Sequence, residues 1–220
     1  MFDNETKKDY VSQSMKTVFS TQIYIDKALH FKSLDRKIQS ELMDECQLLL
    51  DKDSEGHKWS EKNYPSGYTS YGSYDQLHSQ NSTFKKLGLK VDKHMAKYIH
   101  QLDYDIKPTD LEMTHCWVNI MPELAQHTAH IHPLSVISGT FYLQIPKLAS
   151  SIKFEDPRLQ CFMNTPPIKS KSKLANKRFV ELKPQEGDVI LFESWLKHEV
   201  PRNQSTEPRV SISFNYGWKK

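Results

Sequence analysis

Arg209-Val210-Ser211-Ile212-Ser213-Phe214-Asn215-Tyr216-Gly217-Trp218 ends the chain with a two-residue rhythm, the period of an extended strand. Val210, Ile212, Phe214 and Tyr216 share one face. Arg209, Ser211, Ser213 and Asn215 share the other. Such a polar face either meets water or lines a polar cavity, and alternation alone does not choose between them. A second stretch repeats the design. Within 136–145, Ile137, Phe141, Leu143 and Ile145, with Gly139 among them, form an apolar face, while Ser138, Thr140, Tyr142 and Gln144 form a polar one.

Working outward from these two, strands dominate everything after Pro108. Candidates run over 111–121, over 127–132 up to Pro133, over 151–154, over 178–182, and over 189–192 behind the Gly187-Asp188 turn. The N-terminal part differs. A strand is expected over 18–25, and helices over 34–50, with Ser33 as N-cap, and over 84–101, where Leu87, Val91, Met95 and Tyr98 share a face. Between the helices, 63–77 is rich in Tyr, Ser and Gly. It reads as a loop or short strand pair, with Tyr68, Tyr71 and Tyr74 placed to line an entrance. The polar first ten residues read as a frayed end. The expectation is a mainly β fold, a jelly roll with an N-terminal helical section packed on it. It would form a single domain over 1–220: a helical and mixed part over 1–107, then a jelly-roll core over 108–220 with an insertion loop at 162–177.

Composition narrows the class. The 220 residues are 37% hydrophobic and 26% charged, as in a globular protein with a polar surface. A net charge of +3, from 30 basic and 27 acidic residues, gives no clear nucleic-acid signal. The basic run Lys169, Lys171, Lys173, Lys177 and Arg178 reads as a solvated loop. Cys46, Cys116 and Cys161 are odd in number and widely spaced, which suits neither a disulfide framework nor a CxxC zinc site. The N-terminus lacks a signal-peptide pattern, and no apolar run approaches the ~18 residues of a membrane span. A cytoplasmic protein with reduced thiols is expected.

The histidines carry the chemistry. His130 and His132 point the same way on a strand, and His198 arrives from a later strand end. Three imidazoles on one patch suit iron, zinc, copper or nickel. Arg209, with Ser211 beside it, would anchor an acidic co-substrate. A facial triad of two histidines and a carboxylate would need an acid at 132, where His132 stands instead. Three readings follow: His132 is the third metal ligand, or it supports a two-histidine site, or the cluster binds nothing. His127, three residues before His130, falls on the opposite face of a regular strand and reads as a surface or supporting residue. His30, His57, His78, His94, His100 and His115 stand in no metal-like spacing and read as structural.

Four segments together resemble the Fe(II)/2-oxoglutarate-dependent oxygenase superfamily. They are His130-Ile131-His132-Pro133 followed by Ser138 to Leu143, Phe154 to Arg158, Gly187 to Phe192 running on to His198, and Pro208 to Asn215. Their order matches a double-stranded β-helix. More narrowly, the chain resembles a little-characterised group of such oxygenases, found in bacteria and phages, with a His-x-His-Pro motif. The likeness spans about half the chain, from Leu111 to Trp218.

The resemblance implies that His130 and His198 bind Fe(II), while His132 departs from the usual acid and its place as third ligand stays open. It implies that Arg209 and Ser211 grip the distal carboxylate of 2-oxoglutarate, that Tyr142 adds a hydroxyl there, and that Asn119 belongs to the same pocket. No catalytic residue beyond the metal site is implied. The activity would couple 2-oxoglutarate decarboxylation to C–H oxidation, as a hydroxylase does. The aspartyl/asparaginyl β-hydroxylases, similar enzymes, also lack the acid. Two alternatives stand beside this one: a cupin-like three-histidine metalloenzyme that does not use 2-oxoglutarate, and an inactive jelly-roll binding module. The expected partners are a small-molecule or peptide substrate and a second copy in a homodimer, with no membrane.

Overall fold

The structure is a computed structural model that describes residues 16–26 and 36–219. The first ten residues, read above as a frayed end, the Ser33 cap, Leu34 and His30 lie outside the described residues. In chain order the elements are β1 (Tyr24–Asp26), α1 (Arg36–Lys52), α2 (Ser54–Asn63), β2 (Tyr68–Thr69), α3 (Leu77–Gln80) and α4 (Ser82–Gln101). Then come β3 (Leu111–Met121), β4 (His127–His130), β5 (Ile137–Gln144), β6 (Ile152–Glu155), β7 (Phe179–Leu182), β8 (Val189–Glu193), β9 (His198–Val200) and β10 (Arg209–Trp218).

Two antiparallel sheets form the double-stranded β-helix. The larger has the order β1-β8-β5-β10-β3-β2 and the smaller β4-β9-β6-β7. The alternation of β10 decides where everything else goes. Val210, Ile212, Phe214 and Tyr216 join Phe141 and Leu143 of β5 in one core. Helix α1 adds Leu42 and Cys46 to it, and α4 adds Phe84, Leu87, Val91, Met95 and Tyr98. The other face of the large sheet meets the small sheet, where Tyr142, Ile190 and Phe192 pack with Ile152 and Phe154. One face is therefore closed by helices, and the opposite face is left to line the space between the sheets.

The helices start where side chains can satisfy their first N–H groups. Asn81 Oδ1 accepts from Thr83 N at 2.8 Å and from Phe84 N at 3.3 Å to open α4. Asp53 Oδ1 accepts from Gly56 N at 2.9 Å to open α2, and its other oxygen takes the Tyr68 hydroxyl at 2.9 Å. The sequence pattern misses α2, because Ser54–Asn63 carries a single large apolar residue, Trp59. It overextends the first strand: pairing with β8 covers only Tyr24, Ile25 and Asp26. The three-residue β9 is also missed. The segment 162–177 joins β6 to β7 with only a short 3-10 turn at Leu174–Asn176, and it is mostly exposed. All three cysteines are free. No helix among the described residues is long and apolar enough to cross a membrane.

Gly139 sits mid-strand in β5, between Leu191 of β8 and Phe214 of β10. A Cβ there would lie 2.5 Å from Leu191 Cδ2, 2.6 Å from Phe214 Cε2 and 2.7 Å from the Ile190 carbonyl oxygen. Overpacking of this kind costs about 1–3 kcal/mol. Gly139→Ala is therefore expected to lower the unfolding free energy by that amount and to move the urea midpoint down accordingly, and an unchanged midpoint would contradict the packing described.

Candidate metal centre

Strand pairing brings the histidines together. In the β4–β9 ladder His130 stands directly opposite His198. His132 lies just past the end of β4, where its backbone N–H donates to the Ser194 carbonyl at 3.0 Å. The ligand atoms of His130, His132 and His198 all lie within 4.8 Å of one another, the one such group of donors among the described residues. The His132 and His198 rings are parallel, 2° apart in plane, with their Nε2 atoms 3.3 Å apart.

Hydrogen bonds choose the tautomers. His198 Nδ1 lies 2.9 Å from the Leu196 carbonyl oxygen, and His130 Nδ1 lies 2.7 Å from that of Thr128. A carbonyl only accepts, so each Nδ1 carries the proton and each Nε2 keeps its lone pair, the arrangement that prepares an imidazole for a metal. Burial keeps the rings neutral. It depresses His198 to about 3, with His130 adding repulsion, and His132 to about 2, with His198 and His130 adding more. His130 is lowered mainly by burial too.

The same cavity contains Arg209, Ser211, Tyr142 and Asn119. Register explains the grouping. Ser211 of β10 pairs with Asn119 of β3 on one side and with Tyr142 of β5 on the other, so the three form a row across the sheet. Arg209 starts β10 and is 3% exposed. It donates to Ser211 Oγ at 3.2 Å, and its guanidinium carbon lies 5.0 Å from the centre of the Tyr142 ring. Asn119 donates to Ser213 Oγ at 3.0 Å, and Ser213 lies 3.2 Å from the Thr140 hydroxyl.

Three buried polar atoms in this cavity lack a hydrogen-bond partner: Arg209 Nε, the Tyr142 hydroxyl and Asn119 Oδ1. No carboxylate pairs with Arg209 among the described ion pairs. Burial pushes the Tyr142 phenol up to about 12, with Arg209 opposing. It is therefore a hydroxyl donor at neutral pH. A buried guanidinium and a phenol left unmet are expensive, and their directions suit an anionic ligand with several oxygens.

His127 overturns one expectation. A register shift between His127 and His130 marks a bulge in β4, and the bulge breaks the alternation. Instead of facing away, the His127 ring lies 4.4 Å from that of His130 and lines the cavity. Burial lowers it to about 3, with His130, His198 and Arg209 adding to the effect. Sequence reasoning also passed over Trp117 and Tyr64 in the cavity wall. Trp117 shares the parity of Asn119 on β3, a signal that was there to use. Tyr64 follows α2 and gave none. Other candidates lie elsewhere: Arg158 pairs with Asp156 at 2.9 Å, Tyr68 is buried against Asp53, and Tyr74 is exposed.

A double-stranded β-helix holding three convergent imidazoles and a buried arginine has the parts a metal-dependent oxygenase needs. Residues 115–215 match the model of the family described as "Putative 2OG-Fe(II) oxygenase", whose members take Fe(II) and 2-oxoglutarate. The fold is similar to that of a Pseudomonas putida prolyl-4-hydroxylase (TM-score 0.60, 14% identity, 91% of this chain and 95% of that one). It is also similar to the α-ketoglutarate-dependent epimerase SnoN from nogalamycin biosynthesis (TM-score 0.63, 13% identity, 90% and 76%). A third likeness is to HygX from Streptomyces hygroscopicus, solved with nickel, 2-oxoglutarate and hygromycin B (TM-score 0.59, 14% identity, 90% and 84%). Among curated proteins none matches the chain.

Neutral imidazoles would make metal binding here insensitive to protons at ordinary pH. Metals bind deprotonated imidazole, so a raised pKa would make affinity climb with pH and a depressed one makes it flat. Three unperturbed histidines of pKa ~6.5 would gain roughly 60-fold in affinity between pH 6 and 8. Here Co(II) affinity, followed by its visible spectrum, is expected to change by less than about fourfold over that range. A steep rise would show that the rings are protonated at pH 6.

Proposed function

We propose that this protein is an Fe(II)/2-oxoglutarate-dependent dioxygenase acting as a hydroxylase on a small-molecule or peptide substrate. One observation carries the reading: a buried, carboxylate-free Arg209 opens into the same cavity as three converging imidazoles. The donor set fits both groups. His130, His132 and His198 would hold the metal. Arg209 would receive the distal carboxylate of 2-oxoglutarate through its planar fork, with the Ser211 and Tyr142 hydroxyls on the remaining lone pairs. Asn119 closes the row beside them. Bound together, the metal and 2-oxoglutarate supply an oxidative decarboxylation coupled to oxidation of a substrate C–H bond.

The chain does the positioning. Backbone carbonyls of Thr128 and Leu196 fix the two imidazoles in one tautomer. Phe192 and Ile152 wall the cavity with hydrocarbon, which excludes water and strengthens the guanidinium's pull on an anion. His132 in place of an acid also suits a three-histidine metalloenzyme that does without 2-oxoglutarate. Arg209 argues against that second reading, because such a site has no use for a buried guanidinium.

The test is an anaerobic Fe(II) titration with and without 2-oxoglutarate, watching the visible charge-transfer band. The band is expected in the native protein and absent in His198→Ala. In Arg209→Ala it should need roughly 30-fold or more 2-oxoglutarate, the cost of removing one side of a buried charge pair. Circular dichroism of each variant separates loss of ligand from loss of fold. Equal bands in all three folded proteins would refute the assignment. A succinate-release screen over amino acids, peptides and small metabolites then seeks the substrate.

A further inference from the structure

Aromatic rings lead from the metal cluster to the surface. The His132 ring centre lies 5.9 Å from that of Trp117, Trp117 lies 5.0 Å from Tyr71, and Tyr71 lies 5.9 Å from Trp59. Each step falls within the range of direct ring contact. Trp117 is 4% exposed and walls the cavity, whereas Tyr71 is 42% exposed and lies outside the wall.

The path is held in place. Trp117 is fixed by β3. Tyr71 sits in a 3-10 turn, Ser70–Gly72, whose Thr69 cap accepts from Tyr71 N at 3.3 Å. Ser70 Oγ ties that turn to β3 by accepting from Val118 N at 3.1 Å. Gly72 lets the Trp59 indole lie against the turn, since a Cβ there would stand 2.2 Å from Trp59 Cγ. Tryptophan and tyrosine are among the side chains most readily oxidised by one electron, and here the buried indole lies nearest the cluster with the solvent-reachable phenol beyond it.

We propose that Trp117, Tyr71 and Trp59 form a relay that carries oxidising equivalents out of the metal site when dioxygen is activated with no substrate bound. The relay rests on the oxygenase reading above. In each step the Trp117 indole gives one electron to the oxidised metal centre. Tyr71 then reduces the indole radical cation and releases its phenolic proton to water. A one-electron reductant of the ascorbate class restores Tyr71 from solution, returning a hydrogen atom. Two such electrons and two protons from water return the centre to Fe(II) and release the retained oxygen atom as water. Trp59 offers Tyr71 a second neighbour over which the unpaired electron can spread.

The test incubates the whole protein with Fe(II), 2-oxoglutarate and dioxygen but no other substrate. 2-Oxoglutarate loss is followed, rapidly frozen samples are examined by electron paramagnetic resonance, and oxygen additions are mapped by peptide mass spectrometry. Native protein is compared with Tyr71→Phe, which keeps the ring and removes the oxidisable phenol, and with Trp59→Phe. Without ascorbate the native protein is expected to show a tyrosyl signal and oxygen additions at Tyr71 and Trp59. In Tyr71→Phe that signal should vanish, additions should move inward to Trp117 and His132, and inactivation should come after fewer turnovers. Trp59→Phe should keep the tyrosyl signal. If 2-oxoglutarate is consumed while map, signal and lifetime are the same in Tyr71→Phe, the relay is overturned and the oxygenase reading stands. If no protein consumes 2-oxoglutarate and the Fe(II) band is absent as well, the oxygenase reading falls and takes the relay with it.

Discussion

The strand β10 has to satisfy two unlike surroundings at once. Val210, Ile212, Phe214 and Tyr216 are buried among helices, and each contributes roughly 1.5–3 kcal/mol by leaving water. Arg209, Ser211 and Ser213, one residue out of phase, line a polar cavity. A slip of one residue would drive a guanidinium into hydrocarbon and pull four large apolar side chains out of it. Register is therefore pinned by the core, and the core's register is what aligns Asn119, Ser211 and Tyr142 into one row. The packing that stabilises the fold and the geometry of the pocket are consequences of a single constraint.

The electrostatics of the cavity follow from what is missing. The position that would carry a ligating acid holds His132, so the three converging donors are all neutral. Arg209 adds a positive charge, and no carboxylate among the described residues answers it. A divalent ion placed among these imidazoles would leave the cavity strongly positive. A dianion is the ligand such a field selects, and the unmatched Tyr142 hydroxyl and Arg209 Nε offer it donors. Loss of the acid thus makes an anionic co-substrate more important to the site's charge balance.

Much of this was legible from residues alone because it obeys local periods. The two faces of β10 and of β5 read directly off the sequence, as did α4, whose buried stripe from Phe84 to Tyr98 repeats at helical spacing. What escaped depends on departures from period or on distant contacts. His127 reached the cavity through a bulge, which no alternation rule anticipates. Helix α2 has almost no apolar stripe and is set by the Asp53 cap and by packing. The three-residue β9 has too little pattern to detect, yet it places His198 opposite His130. The metal role of His132 could only be left open, since residue 132 lies beyond the last paired residue of β4 and its direction is fixed by a backbone bond to Ser194.

The two sheets divide the labour unequally. The proposed co-substrate side stands on long strands, β3 with 11 residues and β10 with 10, paired with each other along their length. The metal side stands on β4 with 4 residues, a bulge, a turn and β9 with 3 residues. Short strands with few ladder bonds are where local opening is cheapest. An ion bound to His130, His132 and His198 would join β4, the segment after it and β9 by bonds the polypeptide cannot supply, and binding to the folded state alone adds to its stability. The anion pocket is thus built on long paired strands, whereas the histidine cluster would be tied together by the ion it is proposed to hold.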